Sequence, residues 1–239
     1  MCAVDAAAAG GVGRVRVVLA THNAKKGVEL QRILDAAGLL AEVVGLDAVA
    51  PYPEPAETAR DFAGNALIKA RAAMAATGEI AIADDSGIEV DLLNNMPGVR
   101  SARWAGPGAG DEANLRLLIA QLSDTDYLDR SARFVCAMAL VTPQGSEQVV
   151  RGEMSGKLVL QPKGDNGFGY DPIFVADEQP APGGRTNAEL AAAEKDAISH
   201  RAKAAKALLP FLEALSPGRL LGPASAGAAG RDDQVKEGE

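Results

Sequence analysis

From Val15 onward the chain alternates short apolar runs with longer stretches of helical periodicity, the pattern of strands exchanging with helices. Val15–Ala20, rich in β-branched residues, predicts a strand. After Thr21-His22-Asn23, the positions Leu30, Ile33, Leu34 and Ala37 fall on one helical face that Gly38 stops. Leu40–Val44 predicts a second strand, Asp47–Pro55 a Pro-rich loop, and Thr58–Thr77 a long Ala-rich helix ended by Gly78. Ile80–Ala83 reads as a brief strand running straight into two carboxylates. Helices are expected at Asp111–Leu122 and Lys203–Leu215, while Arg133–Val141 and Glu147–Arg151 bracket Pro143-Gln144-Gly145 as a hairpin. The order predicts an α/β chain with strands at its centre. Residues 1–14 and 216–239 lack usable periodicity and are expected to be flexible tails around one folded unit at 15–215.

Composition narrows the chemistry. Apolar residues make up 47% of the 239, enough for a real core. No run approaches the roughly 18 apolar residues of a membrane span, and the first residues lack a secretory leader's basic and apolar regions, so a soluble, cytoplasmic protein is expected. With two cysteines far apart in sequence and two histidines, a closed zinc site is unsupported; a hard cation on carboxylates, Mg²⁺ or Mn²⁺, is the metal to expect. A net charge of −8 argues against a nucleic-acid polymer as partner, because that binding needs extended basic surface. A small anion in a local cationic pocket stays compatible.

Five clusters carry candidate chemistry. Thr21, His22, Asn23, Lys25 and Lys26 sit where a strand meets a helix, and free N–H groups with the helix dipole favour an anion there; the same residues also suit an ordinary helix cap with solvated lysines. Asp84-Asp85-Ser86-Gly87 places two like charges side by side, expected to emerge together at a strand's C-terminal end. A divalent cation would relieve their repulsion and one carboxylate could activate water, whereas an Asx turn with Gly87 at positive φ is the plainer alternative. In the Ala-rich helix Asp61, Asn65 and Lys69 recur at four-residue spacing as a polar stripe, with Glu57 just upstream. Gly167-Phe168-Gly169-Tyr170-Asp171-Pro172 gathers two of only nine aromatic residues beside glycines, where a ring can stack on a base. Farther on, Ser199 is a candidate N-cap whose following His200, Arg201 and Lys203 would crowd cations into a first turn, unless the helix begins upstream. Gly152–Leu158 lacks Walker A spacing, and Gly10–Gly13 precedes the first strand, so neither is a phosphate loop.

Taken with Pro97-Gly98, Ser101-Ala102-Arg103 and Lys195, these motifs closely resemble the inosine/xanthosine triphosphate pyrophosphatases, house-cleaning enzymes of the purine nucleotide pool, from about Val15 to Leu215. The resemblance implies an elongated mixed sheet with flanking helices, forming two lobes around a central nucleotide cleft, and a homodimer. It implies hydrolysis of ITP, dITP and XTP to the monophosphate and pyrophosphate with Mg²⁺. Under it Asp85 is the general base and, with Glu57, a metal ligand that Asp84 supports. Thr21, His22, Asn23, Lys25, Lys26, Asn65, Lys69 and Ser86 lie on the phosphate side. Phe168 stacks on the purine, with Gly169, Tyr170, Asp171, Lys195, His200 and Arg201 around the base. Three positions depart from that pattern: Asp61 stands where Thr is frequent, Asn94-Asn95 replace a more glycine-rich turn, and Met154 stands where Trp is frequent.

Overall fold

The structure is a computed structural model that describes residues 14–180 and 183–215. The expected tails therefore lie outside the described residues, apart from Arg14. Seven strands form one mixed sheet: β1 (Val15–Leu19), β2 (Ala41–Val44), β3 (Ile80–Val90), β4 (Met96–Pro97), β5 (Ser131–Val141), β6 (Glu147–Leu158) and β7 (Phe174–Ala176). Their order is β2-β1-β3-β5-β6-β7, with β4 paired to β3 alone. β1 runs parallel to β2 and β3; the pairs β3–β4, β3–β5, β5–β6 and β6–β7 are antiparallel. The helices are α1 (Ala24–Ala36), α2 (Phe62–Thr77), α3 (Gly110–Gln121), α4 (Ala192–Ile198) and α5 (His200–Ala214).

Side chains alternate across the sheet because successive Cβ atoms of a strand point to opposite faces. On one face Val17, Leu19, Ile82, Cys136, Met138 and Leu140 pack against α1 and α5. On the other, Ala83, Val135, Ala137, Ala139 and Val141 receive Phe62, Ala66 and Ala70 of α2. Small residues on both sides let this Ala-rich helix lie close to the sheet, which explains its composition. A further cluster, Ile88, Val90, Met154, Leu158, Ile173 and Phe174 with Leu115, Leu118 and Leu122, fills the far end of the long strands. Met154 is wholly buried there, so its departure from the family pattern is accommodated by packing.

Three expectations change. The strand begun at Ile80 does not stop at Ala83 but continues through Asp84-Asp85-Ser86-Gly87 to Val90, paired along its length with β5. Gly87 is therefore a strand residue, and no turn forms. A Cβ at Gly87 would overlap Ser101 Oγ and the Gly98 carbonyl, so close packing is what requires glycine here. The long helix starts at Phe62 instead of Thr58: Asp61 is its N-cap, accepting from the Gly64 N–H at 2.7 Å. Asp61 therefore leaves the polar stripe and acts as a cap. The hairpin's second strand extends past Arg151 to Leu158. Ser199 does cap the last helix, accepting from the Ala202 N–H, with His200 and Arg201 in its first turn. Asn94 and Asn95 both adopt positive φ, 52° and 65°, the backbone a glycine-rich turn would otherwise supply.

Candidate active site

The alternation of β3 separates its two aspartates. Asp84 follows Ile82 onto the α1/α5 face, and Asp85 follows Ala83 onto the α2 face. The expectation that both emerge together at a strand end gives way to one strand serving two chemical environments.

On the α1/α5 face Asp84 is buried and heavily partnered. Lys26 Nζ donates to both its oxygens at 2.9 and 2.8 Å, Ser86 Oγ to Oδ2 at 3.3 Å, and Arg201 Nε to Oδ2 at 3.4 Å. Burial alone would raise its pKa, but Lys26 and Arg201 outweigh it and hold the carboxyl well below the usual range. Arg201 also approaches Glu29 at 3.9 Å. These carboxylates resolve the conflict of cations in the first turn of α5. The helix end is brought there by Gly152, where any Cβ would strike the backbone of His200 and Ala204.

The α1/α5 face opens into a cavity of about 370 Å³ whose walls include Asn23, Lys25, Lys26, Ser86, Arg201, Phe134, Phe168, Gly169, Asp171, Lys195 and His200. Asn23 caps α1 by accepting from the Lys25 N–H at 3.0 Å, and Thr21 Oγ1 accepts from the Asn23 N–H at 3.2 Å. The capping reading of this segment is realised, and Asn23, Lys25 and Lys26 also line the cavity, whereas Thr21 does not. Phe168 is 66% exposed, an apolar ring held in the open. Buried Asp171 fixes its loop, accepting from the Phe168 N–H at 2.9 Å and from Lys195 Nζ at 2.5 Å. The Lys195 ammonium in turn stands 5.5 Å from the Phe168 ring centroid. His200 stacks on Phe134 with centroids 5.2 Å apart; burial and the neighbouring Arg201 lower its pKa to about 3, so the ring is neutral. Its Nδ1 has no partner among the described residues. Tyr170 lines the cavity but is mostly buried, its hydroxyl donating to the Ser101 carbonyl at 2.8 Å. It supports the wall, and Phe168 alone of the pair offers an open ring.

On the α2 face Asp85 Oδ2 accepts from Asn65 Nδ2 at 3.0 Å and Oδ1 from Lys69 Nζ at 3.3 Å. Lys69 also donates to Glu57 Oε1 at 3.1 Å, and Arg103 Nη1 to Glu57 Oε2 at 3.1 Å. Burial raises the pKa of Asp85, only partly offset by Lys69. Glu57 goes the other way: Lys69 and Arg103 overcome its burial and lower it. Asp85 is thus the more basic of two neighbouring carboxylates, as a proton acceptor should be. Among the described residues no three His, Cys, Asp or Glu side chains cluster into a metal cage. Glu57 and Asp85 share one ammonium, whereas Asp84 faces away across the sheet. Two hard carboxylates suit Mg²⁺, which seldom takes an all-protein cage.

His22 lies outside the large cavity. It is exposed and paired with Glu54 at 2.5 Å, and the hydrogen bond to Glu54 raises its pKa. Residues near the site that were given no role from the sequence include Glu29, one helical turn beyond Lys26; Phe134, which stacks on His200; Asp111, whose carboxylate accepts from the Gly169 N–H at 3.0 Å; and Arg103, which donates to Glu57. The Lys26–Glu29 spacing and the Ser101-Ala102-Arg103 motif were the available signals for the first and last.

A profile of the Ham1 family matches residues 17–211. The chain belongs to the Ham1 family. Every candidate residue from Thr21 to Arg201 falls inside that match. Among curated relatives, the dITP/XTP pyrophosphatase of Cutibacterium acnes is 53% identical over 85% of this chain and 99% of its own length. That of Frankia alni is 56% identical over 83% and 97%. The fold matches two solved structures. A nucleoside-triphosphatase/dITP/XTP pyrophosphatase from Mycobacterium abscessus has a TM-score of 0.68 at 52% identity, over 82% of this chain and all of that one. The Staphylococcus aureus Ham1 protein has a TM-score of 0.75 at 38% identity, over 84% and all of that chain. Within the described residues no helix is long and apolar enough to cross a membrane.

Proposed function

We propose that this chain hydrolyses the deaminated purine nucleoside triphosphates ITP, dITP and XTP to the monophosphate and pyrophosphate, clearing them from the nucleotide pool. The observation that carries the reading is one strand, β3, joining a cavity with a cationic rim and an exposed ring to a buried carboxylate of raised basicity. The 53% identical Cutibacterium acnes relative, a dITP/XTP pyrophosphatase, supports the same substrate class. The working unit is residues 15–215.

Lys25, Lys26, Asn23, Thr21 and Ser86 meet the triphosphate, whose roughly four negative charges require such a lining. Phe168 stacks on the purine, and Asp171, Lys195, His200 and Arg201 surround its edge. Donors directed at a 6-keto oxygen would confront adenine's 6-amino group and leave buried polar groups unpaired, which disfavours ATP. β1 pairs with β3 only as far as Ile82 and β4 only from Glu89, so the phosphates can reach across the β3 edge between them from the Lys26 side to Asp85. That carboxylate, oriented by Asn65 and Lys69, takes the proton from the attacking water. Glu57 and Asp85 would hold Mg²⁺, or Mn²⁺ in its place, which when bound supplies charge neutralisation on the phosphate oxygens. Lys69 holds both carboxylates in register and Arg103 fixes Glu57. Asp84 acts across the sheet, anchoring Lys26 and Arg201. The assembly is a homodimer in the cytoplasm, with no polynucleotide or membrane partner.

Incubation with ITP and Mg²⁺, followed by separate assays for pyrophosphate and orthophosphate, tests the reading. Pyrophosphate is expected as the direct product. Orthophosphate released first, or faster turnover of dTTP or UTP than of ITP, would overturn it.

A further inference from the structure

Asn187 has no part in the site described so far, yet it touches it. It lies in the short turn Asn187–Glu189 and is wholly buried. Its Nδ2 donates to Asp171 Oδ1 at 3.3 Å, while its own Oδ1 has no partner among the described residues. The opposite amide orientation would set that oxygen against a carboxylate. The turn is tied to the Phe168 loop by three hydrogen bonds. Thr186 Oγ1 donates to the Lys163 carbonyl at 2.7 Å, the Asn166 N–H to the Ala188 carbonyl at 3.1 Å, and Asn166 Nδ2 to the Leu190 carbonyl at 3.2 Å. Thr186 and Glu189 close a capping box that sets the turn itself.

A leucine would fill the same space without bringing in the amide's unpaired oxygen, so packing alone does not account for an amide here. Donation to Asp171 does. Asp171 Oδ2 is already engaged by the Phe168 N–H and Lys195 Nζ, and the orientation of the carboxylate decides where both stand. Asn187 fixes the other oxygen and so removes the remaining freedom of that carboxylate about its bond.

We propose that Asn187 is a positioning residue for base recognition, acting through Asp171 to hold the Phe168 ring and the Lys195 ammonium at the cavity wall. The inference rests on the proposed assignment of this cavity to the purine base.

The first test is Asn187→Leu, with ITP kinetics and thermal unfolding measured on the same preparation. KM should rise roughly tenfold, the worth of one hydrogen bond to a charged group, with kcat within about twofold. Tm should fall modestly, because Asp171 Oδ1 loses its donor while the amide's own orphaned oxygen is removed. A folded variant with wild-type KM overturns the proposal. Asn187→Asp decides the matter if the leucine variant does not fold. Two carboxyl groups in contact share a proton, so at low pH the new acid can donate to Asp171 as the amide does. KM for ITP should then stay near wild type at pH 5.5 and rise toward pH 8 in the variant alone; a KM profile parallel to wild type overturns the proposal. Phe168→Ala separates the two levels. If it leaves KM for ITP unchanged, the base assignment fails. If it raises KM while both Asn187 variants behave as wild type, only the positioning role fails.

Discussion

Asp84 and Asp85 are adjacent in sequence and occupy opposite worlds. Asp84 is met by an ammonium, a guanidinium and a hydroxyl, which together hold it ionised despite burial. Asp85 meets one amide and one ammonium that it shares with Glu57, and burial leaves it more basic than a free carboxylate. The difference is made by the two-residue period of the strand, which gives each aspartate its own helices. It teaches that a pair of carboxylates need not be a joint metal site: one can be the counter-ion that organises cations, and the other the group that exchanges protons.

The sharpest way to break this contrast is to neutralise each member in turn. Asp85→Asn removes the proposed proton acceptor and should lower kcat for ITP by about 10²–10⁴-fold. The fold should survive, because Lys69 keeps Glu57 as partner. A variant with more than about a tenth of wild-type kcat would show that the base lies elsewhere.

Asp84→Asn should do the reverse and damage stability first. It leaves Lys26 and Arg201 facing a neutral amide in a buried site, and loss of one partner of such a pair costs about 3–5 kcal/mol. Urea unfolding measures this. A variant as stable as wild type would mean that the cations are solvated without Asp84.

The pH dependence of stability separates the two more finely. Asp84 has a folded pKa below its unfolded value of about 3.9, so its contribution is complete above that value and is lost as pH falls through the folded one. Asp85 has a raised folded pKa, so its contribution is present below the unfolded value and is lost as pH rises through the folded one. Subtracting each variant's Tm-versus-pH curve from wild type should give differences that slope in opposite directions in the acid range. Slopes of the same sign would contradict the separation.

Much of this architecture was legible beforehand because periodicity and punctuation agreed. Leu30 and Leu34 marked the buried side of α1, Gly78 closed α2 with a left-handed residue, and Gly145 turned the hairpin. What was not legible depends on partners remote in sequence. Asp84-Asp85-Ser86-Gly87 looks like a strand's end because two charges and a glycine disfavour strand interior. The strand continues because Lys26, Lys69 and Arg201 neutralise the charges and Ser101 and Gly98 occupy the space a side chain would need. Asp61 seemed to continue a helical stripe because its spacing is right, but its side chain satisfies the Gly64 N–H and starts the helix instead. Tyr170 was grouped with Phe168 by proximity alone, and the hydrogen bond that buries it crosses to Ser101.

The smallest effect concerns His200, on the Asp84 side of the sheet. Burial and the neighbouring Arg201 depress its pKa to about 3, against about 6.5 in an unfolded chain. The unfolded chain therefore takes up a proton first, and the contribution of the neutral ring is lost as pH falls from about 6.5 toward 3, with a slope of at most one proton. His200→Phe keeps a ring to stack on Phe134 but cannot titrate. Its Tm should fall less than wild type's between pH 6.5 and pH 4.5. Equal falls would place the histidine in a solvated setting, and the cationic face beside Asp84 would then be more open to water than the contrast with Asp85 requires.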